Sequence, residues 1–312
     1  MFGKKQNFIS WQFILGFIIS IACLFYALRD FKFSEFIFML KNIDLVSIFI
    51  ATLLLILSVY IRSLRWKIIV HENKISVKDL FVAQFIGYFG NNVLPFRLGE
   101  LIRSKFIANK YNFSTPTIFG TVVLERSFDI LGIIFLAIIL AFQNFSLLSN
   151  YKYTIYLFPL LVITSVIILF SMFSSPKKYA NKNKFFVILI NIINGIKSLN
   201  KKNLLVVISH TIIIWIIYIF QVFLVQYSVS MNMGLSDCIF LLFVSSLVLS
   251  IPSLPANIGT FEAGVKESLL ILNISVYQSS FPFLLHSMTF IPYVLIGGAL
   301  FIYYNYQVFK KE

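Results

Sequence analysis

The sequence predicts an all-α polytopic membrane protein with six full spans and two inverted re-entrant helical hairpins. Three observations carry that expectation: a composition too apolar for a soluble domain, apolar runs of two distinct lengths, and positive charge gathered on one side of those runs. Of 312 residues, 59% are hydrophobic and 12% charged, with a mean hydropathy of +0.89. A soluble domain carries about 25% charged residues. The longest polar interruption, Ser174 to Lys202, is itself apolar from Phe185 to Ile196, which leaves no room for a nucleotide-binding domain. The chain therefore reads as a single transmembrane domain over residues 1–312.

Runs long enough to cross about 30 Å of hydrocarbon at about 1.5 Å per residue are Trp11–Leu28, Leu45–Ile61, Thr117–Phe142, Tyr153–Phe173, Leu204–Ser228 and Phe281–Tyr304. The first follows Lys4 and Lys5, exceeds a signal-peptide core and lacks an Ala-x-Ala site, so it reads as an uncleaved span. Two further runs, Leu80–Leu94 and Cys238–Ile251, reach only about 22 Å. Each ends in irregular, proline-containing sequence, with Pro95 and Gly99 at one tip and Pro255 and Gly259 at the other, and then resumes as helix-like sequence. Irregular backbone at membrane depth survives only where protein or a water-filled cavity satisfies it, so the tips are expected to face each other or a central cavity.

The formal net charge is +14. With the N-terminus inside and both hairpins re-entrant, Arg29, Lys32, Lys41, Lys152 and Lys266 fall outside, Arg126 lies within a span, and the other Lys and Arg, including Arg62 and Arg65, fall inside. Such a bias is the positive-inside pattern of a cytoplasmic membrane protein with both termini inside, and it explains the charge without nucleic acid. The hairpins then enter from opposite faces, giving inverted repeat units of about 76–142 and 236–304. Inverted repeats with broken helices at the midplane are a recurring transporter plan. Pro95-x-x-x-Gly99 and Pro255-x-x-x-Gly259, followed by Asn112-Phe-Ser and Asn273-Ile-Ser, fit the same register.

Three clusters are candidates for chemistry. Arg97, Glu100 and Arg103 surround the first tip, where a helix starting near Gly99 would aim free amides and its positive end at an anion such as a phosphate; the alternative reading is a set of cytoplasmic loop charges. Glu125, Arg126 and Asp129 lie inside an apolar run, where lipid exposure would cost about 2.5–3.5 kcal/mol each, so they must face inward and pair. Arg126 and Asp129 are spaced i,i+3, leaving one carboxylate to meet Arg97 or Arg103 or to take up a proton or cation. Glu262 follows the second tip with Lys266 one turn on, an i,i+4 helix pair by spacing. Gly259-x-x-x-x-Gly264 is followed by Val265, so a P-loop is excluded. Cys23 and Cys238 read as small buried residues, and the spacing of His71, His210 and His286 suggests no metal.

Taken in order, Asn92-x-x-Pro95-x-Arg97-x-Gly99-Glu100-x-x-Arg103, then Glu125-Arg126-x-x-Asp129, then Pro255-x-x-x-Gly259-x-x-Glu262 resembles the flippase-like membrane family related to the transmembrane domain of lysylphosphatidylglycerol synthase. The likeness covers nearly the whole chain. Two positions depart from it: Ala256 stands where such proteins often have glycine, and His286-Ser287 where an arginine is common. The resemblance implies an inner-membrane protein that moves a lipid with a polar head group between leaflets, with membrane lipids and envelope-biosynthesis proteins as partners. No cofactor or metal is implied, and lipid aminoacylation, the work of a soluble aminoacyl-transferase domain in some relatives, is not expected.

On that basis Asn92, Arg97, Arg103 and Arg126 are expected to bind an anionic or phosphate-bearing head group. Glu100, Glu125, Asp129 and Glu262 are expected to gate it or couple ions. The alternative from another class is an intramembrane glycosyl- or lipid-modifying transferase with a polyprenyl-linked donor, and a third is a non-transporting scaffold.

Overall fold

A computed structural model describes residues 11–142, 184–249 and 254–309. Every regular element among the described residues is helical. In chain order they are α1 (Trp11–Leu28), α2 (Phe33–Lys41), α3 (Leu45–Val70), α4 (Val77–Val93), α5 (Gly99–Tyr111), α6 (Thr115–Phe142), α7 (Lys184–Ile196), α8 (Leu204–Ser228), α9 (Leu235–Val248), α10 (Thr260–Ile271) and α11 (Phe281–Phe309). Short 3-10 turns occupy Pro95–Arg97, Lys201–Asn203 and Pro255–Asn257. The expected span Tyr153–Phe173 lies outside the described residues, as do Ile251 to Ser253 of the second tip.

Local chemistry sets these boundaries. Asp44 caps α3 by accepting from the amides of Val46 and Ser47, and Ser76 caps α4 by accepting from Asp79. Asn112 closes α5 in the left-handed region at φ 58°, a conformation asparagine tolerates better than most residues. Leu94 is extended, as the residue before a proline must be, and Pro95 starts the tight turn that ends α4.

Three described helices are long and apolar enough to cross a membrane by length and composition: Leu45–Val70, Lys201–Ser228 and Phe281–Tyr304. One boundary corrects the sequence reading. The run expected to end at Ile61 continues as helix to Val70, carrying Arg62 and Arg65 off the cytoplasmic loop and into the protein, where both are buried. Their charge is compensated by carboxylates on α6, a compensation that hydropathy does not register.

The short apolar runs fold as helical hairpins. α4 and α5, of 17 and 13 residues, pack together across the Pro95 turn, and α9 and α10, of 14 and 12 residues, pack together across the Pro255 turn. All four are shorter than the roughly 20 residues of a full span. The two 3-10 turns touch each other, and the second also rests on α4. Arg97 and Asn257, at matching places in the turns, share a left-handed backbone with φ 53° and 57°.

Packing between elements is reciprocal. α4 packs on α11 while α9 packs on α6; α5 packs on α6 and α10 on α11; α3 packs on α4 and α8 on α9; and α3 and α8 lie against each other. Glycine permits the closest approaches. A Cβ on Gly99 would sit 1.9 Å from the Gly87 carbonyl oxygen, and one on Gly120 would sit 2.1 Å from that of Ile192 on α7.

Candidate functional site

The charged residues of α3, α5 and α6 converge on one buried network. Glu125, with no exposed side-chain surface, accepts at Oε1 from Arg62 Nη1 (3.4 Å), Arg65 Nη2 (3.3 Å) and Gln84 Nε2 (3.2 Å), and at Oε2 from Arg103 Nη1 (3.0 Å). One turn on, Asp129 accepts at Oδ1 from Arg65 Nη2 (2.7 Å) and at Oδ2 from Arg62 Nη1 (2.9 Å) and Arg126 Nη1 (3.1 Å). Arg126 Nε also donates to Glu100 Oε1 at 2.7 Å, tying the network to the first tip. The i,i+4 spacing of Glu125 and Asp129 lets both carboxylates share the same two arginines of α3.

Neutral groups complete the cage. Arg103 Nη1 donates to Gln84 Oε1 at 2.6 Å, and its guanidinium lies over the Trp66 ring, 4.7 Å from the centroid. Trp66 is held in turn by its Nε1 donating to Thr121, and Arg65 Nη1 donates to Thr211 of α8. Arg62 Nε donates to the Tyr218 hydroxyl at 2.9 Å. Tyr88 of α4 and Tyr293 of α11 stack 4.3 Å apart.

Four guanidinium groups thus meet three carboxylates, leaving one positive charge in an apolar bundle. Buried ions are tolerated only when paired and hydrogen-bonded, and an excess cation in such a setting attracts an anion. Two donors, Arg65 Nε and Arg103 Nη2, are buried without a partner among the described residues.

The residues expected to bind a head group divide accordingly. Arg126 is in the network with a third of its side chain exposed. Arg103 is in it but sealed, 1% exposed, and pairs with Glu125. Arg97 is exposed at the first tip, with no ion pair or hydrogen bond among the described residues. Asn92 is half-buried nearby, and its Nδ2 has no partner there. The carboxylate left over by helical spacing therefore meets Arg103, and not Arg97.

Glu262 stands apart from this network. Its Oε1 is 2.5 Å from His286 Nδ1 and its Oε2 accepts from the Gly259 amide at 2.7 Å. The i,i+4 pair with Lys266 does not form. Lys266, placed by the sequence reading in an outside segment, is 3% exposed and reaches Asp30 Oδ2 at 3.1 Å and the Tyr26 carbonyl at 3.0 Å. Packing of α1 on α10 brings these acceptors to Lys266, while the Glu262 carboxylate on its own helix is taken by His286 and Gly259.

Sequence reasoning missed Arg62, Arg65 and Gln84. A signal existed, because Trp66 and Ile68 to Val70 prolong the apolar helix beyond the two arginines. Among the described residues, no group of three or more His, Cys, Asp and Glu is arranged to hold a metal ion.

A buried ion network in a membrane-embedded helical bundle, set beside a proline-broken tip, defines a class of polytopic membrane protein with an internal polar site. Residues 13–297 match the lysylphosphatidylglycerol synthase TM region, and the chain belongs to that family. It is similar to the UPF0104 membrane protein MJ1078 of Methanocaldococcus jannaschii, 27% identical over 228 residues that cover 72% of this chain and 97% of the relative. A second protein of that organism, UPF0104 membrane protein MJ1595, is 31% identical over 51% of this chain and 45% of its own length. Glycosyltransferase AglD of Haloferax volcanii is 29% identical over 40% of this chain, a stretch that is only 20% of that protein. No solved structure matches.

Proposed function

We propose that this protein is a lipid flippase or transporter, moving an anionic or phosphate-bearing lipid between the leaflets of the cytoplasmic membrane without chemically altering it. The single observation that supports this reading best is the surplus cation of the buried network, presented by the half-open Arg126 beside the unpaired Arg97. Arg97, Arg126 and Asn92 would contact the phosphate. Arg103, Arg62 and Arg65 would hold Glu125 and Asp129 in place, and Glu100 would compete with the lipid for Arg126.

The architecture in this reading is six spans around two inverted re-entrant hairpins, with both termini inside and units of about 76–142 and 236–304. The reciprocal packing of α4 with α11 and of α9 with α6 supports it, because exchanging the two units maps one contact onto the other. Contact between the tips would then give one site two symmetry-related exits.

The test is translocation in vesicles of phosphatidylcholine and phosphatidylglycerol carrying either fluorescent phosphatidylglycerol or a labelled polyprenyl phosphate. Wild type is expected to speed exchange between leaflets. Arg97→Ala or Arg126→Ala is expected to slow it about 10- to 100-fold, the loss of one charge-assisted hydrogen bond. No acceleration with either probe would overturn the proposal. The similarity to AglD supports a second reading, an intramembrane transferase with a polyprenyl-linked donor. Product formed by purified protein from a labelled donor would favour it.

A further inference from the structure

The two halves hold their tips with different chemistry. In the first half, Arg103 of α5 meets Glu125 of α6. In the second half, the same pair of positions in the chain order, α10 and α11, is joined by Glu262 and His286. Arginine keeps its charge at every physiological pH, whereas histidine is the side chain built to gain and lose a proton. Of the two cationic partners, only the one in the second half can give up its proton.

The local geometry makes that sensitivity consequential. Both side chains are largely buried, Glu262 at 4% and His286 at 12% exposure. The imidazole sits against Phe261, 4.9 Å between ring centres, and Phe290, 5.9 Å, so the surroundings are apolar. His286 Nδ1 faces Glu262, while Nε2 has no hydrogen-bond partner among the described residues and is not among the fully buried polar atoms. Glu262 also holds the amide of Gly259, the break between the tip and α10, where φ is +87° and a Cβ would strike the Ser20 carbonyl oxygen at 2.1 Å. One carboxylate thus links a titratable group to the backbone hinge of the tip.

Other charged and titratable groups on the packed elements are engaged elsewhere. Lys266 of α10 bonds Asp30, and Glu267 accepts from Tyr26 of α1. Asp237 of α9 caps Gly234 and is followed by the buried Cys238, a free thiol. Arg62 and Arg65 of α3 serve Asp129 and Glu125. Tyr218 of α8 accepts from Arg62, and Tyr88 of α4 stacks on Tyr293 of α11. None of these bonds either member of the pair.

We propose that Glu262 and His286 form a proton-binding site that fixes or releases the second hairpin tip and, resting on the transport reading above, couples lipid movement to protons. With one proton bound, imidazolium and carboxylate are neutral as a pair and Gly259 stays capped. When the proton leaves from Nε2, a single negative charge remains in an apolar pocket, a state relieved by water entry and loosening of the cap.

The experiment has two arms. In the first, the full chain in nanodiscs of phosphatidylcholine and phosphatidylglycerol is followed by hydrogen exchange at about pH 5.5 and about pH 8, corrected for the intrinsic rate. Protection of residues 254–262 is expected to fall several-fold at the higher pH, while residues 95–103 keep theirs. His286→Gln and Glu262→Gln are each expected to abolish the pH step, monodisperse behaviour being the check that they fold. A flat wild-type profile, or a step that survives in His286→Gln, would overturn the proposal. In the second arm, an imposed pH gradient across vesicles carrying fluorescent phosphatidylglycerol is expected to change the translocation rate of wild type and not of His286→Gln. Absence of any translocation in this arm would count against the transport reading, and the exchange arm would still decide the proton site.

Discussion

At the scale of residues, the transport proposal gives the buried arginines and the tip arginine opposite jobs. Glu125 faces three guanidinium groups, so Glu125→Gln leaves buried charge uncompensated. Breaking a buried pair from one side costs about 3–5 kcal/mol, and the expected outcome is a severe loss of folded protein, read as yield and as thermal stability in detergent. Replacing both partners, with Arg103→Met in Glu125→Leu, is expected to restore part of that stability, since two apolar side chains leave fewer charges unpaired. Arg97→Ala removes an exposed, unpaired side chain, for which the expected stability change is within about 0.5 kcal/mol. The same change is expected to slow transport, which separates a residue that binds from residues that hold the binder.

At the scale of elements, glycine sets how near the helices come. On α5, Gly99→Ala would place a methyl group 1.9 Å from a backbone oxygen of α4, and on α6, Gly120→Ala would place one 2.1 Å from a backbone oxygen of α7. Backbone cannot rotate away as a side chain can. Each change is expected to cost about 1–3 kcal/mol or more through forced separation of the helices, measured as a lowered thermal midpoint in detergent. Gly298→Ala is the contrast, because its nearest neighbour is a ring atom of Phe89 at 3.2 Å. That contact is wider and is to a side chain and not to backbone, so the expected change is smaller.

At the scale of the whole molecule, the proposed inverted arrangement predicts a sidedness that can be read directly. Asn73, in the loop before α4, and Val276, in the loop after α10, are both exposed and lie at the bases of the two hairpins. In a background with Cys23→Ser and Cys238→Ala, Asn73→Cys is expected to react with an impermeant thiol reagent only from the cytoplasmic face, and Val276→Cys only from the other. Labelling of both from one face would remove the inverted plan and with it the two symmetry-related exits. The membrane assignment would be untouched.

The sequence by itself determined the membrane class, the two proline-broken tips, the inward-facing charges of α6 and the family. Each of these follows from local properties: the length of an apolar run, the fixed φ of Pro95, the cost of Glu125 and Asp129 in hydrocarbon. Only the tertiary structure decided which charges meet. Arg62 and Arg65 read as loop residues because hydropathy averages a window along the chain, whereas their partner Glu125 stands 63 and 60 positions away on α6. Lys266 looked like the partner of Glu262 because helical spacing favours that pair, yet Asp30, 236 positions distant, takes it once α1 packs on α10. Helix formation is governed by nearest neighbours in sequence, but pairing of buried ions is governed by neighbours in space, and the packing of α3, α5 and α6 around Glu125 had to exist before the site did.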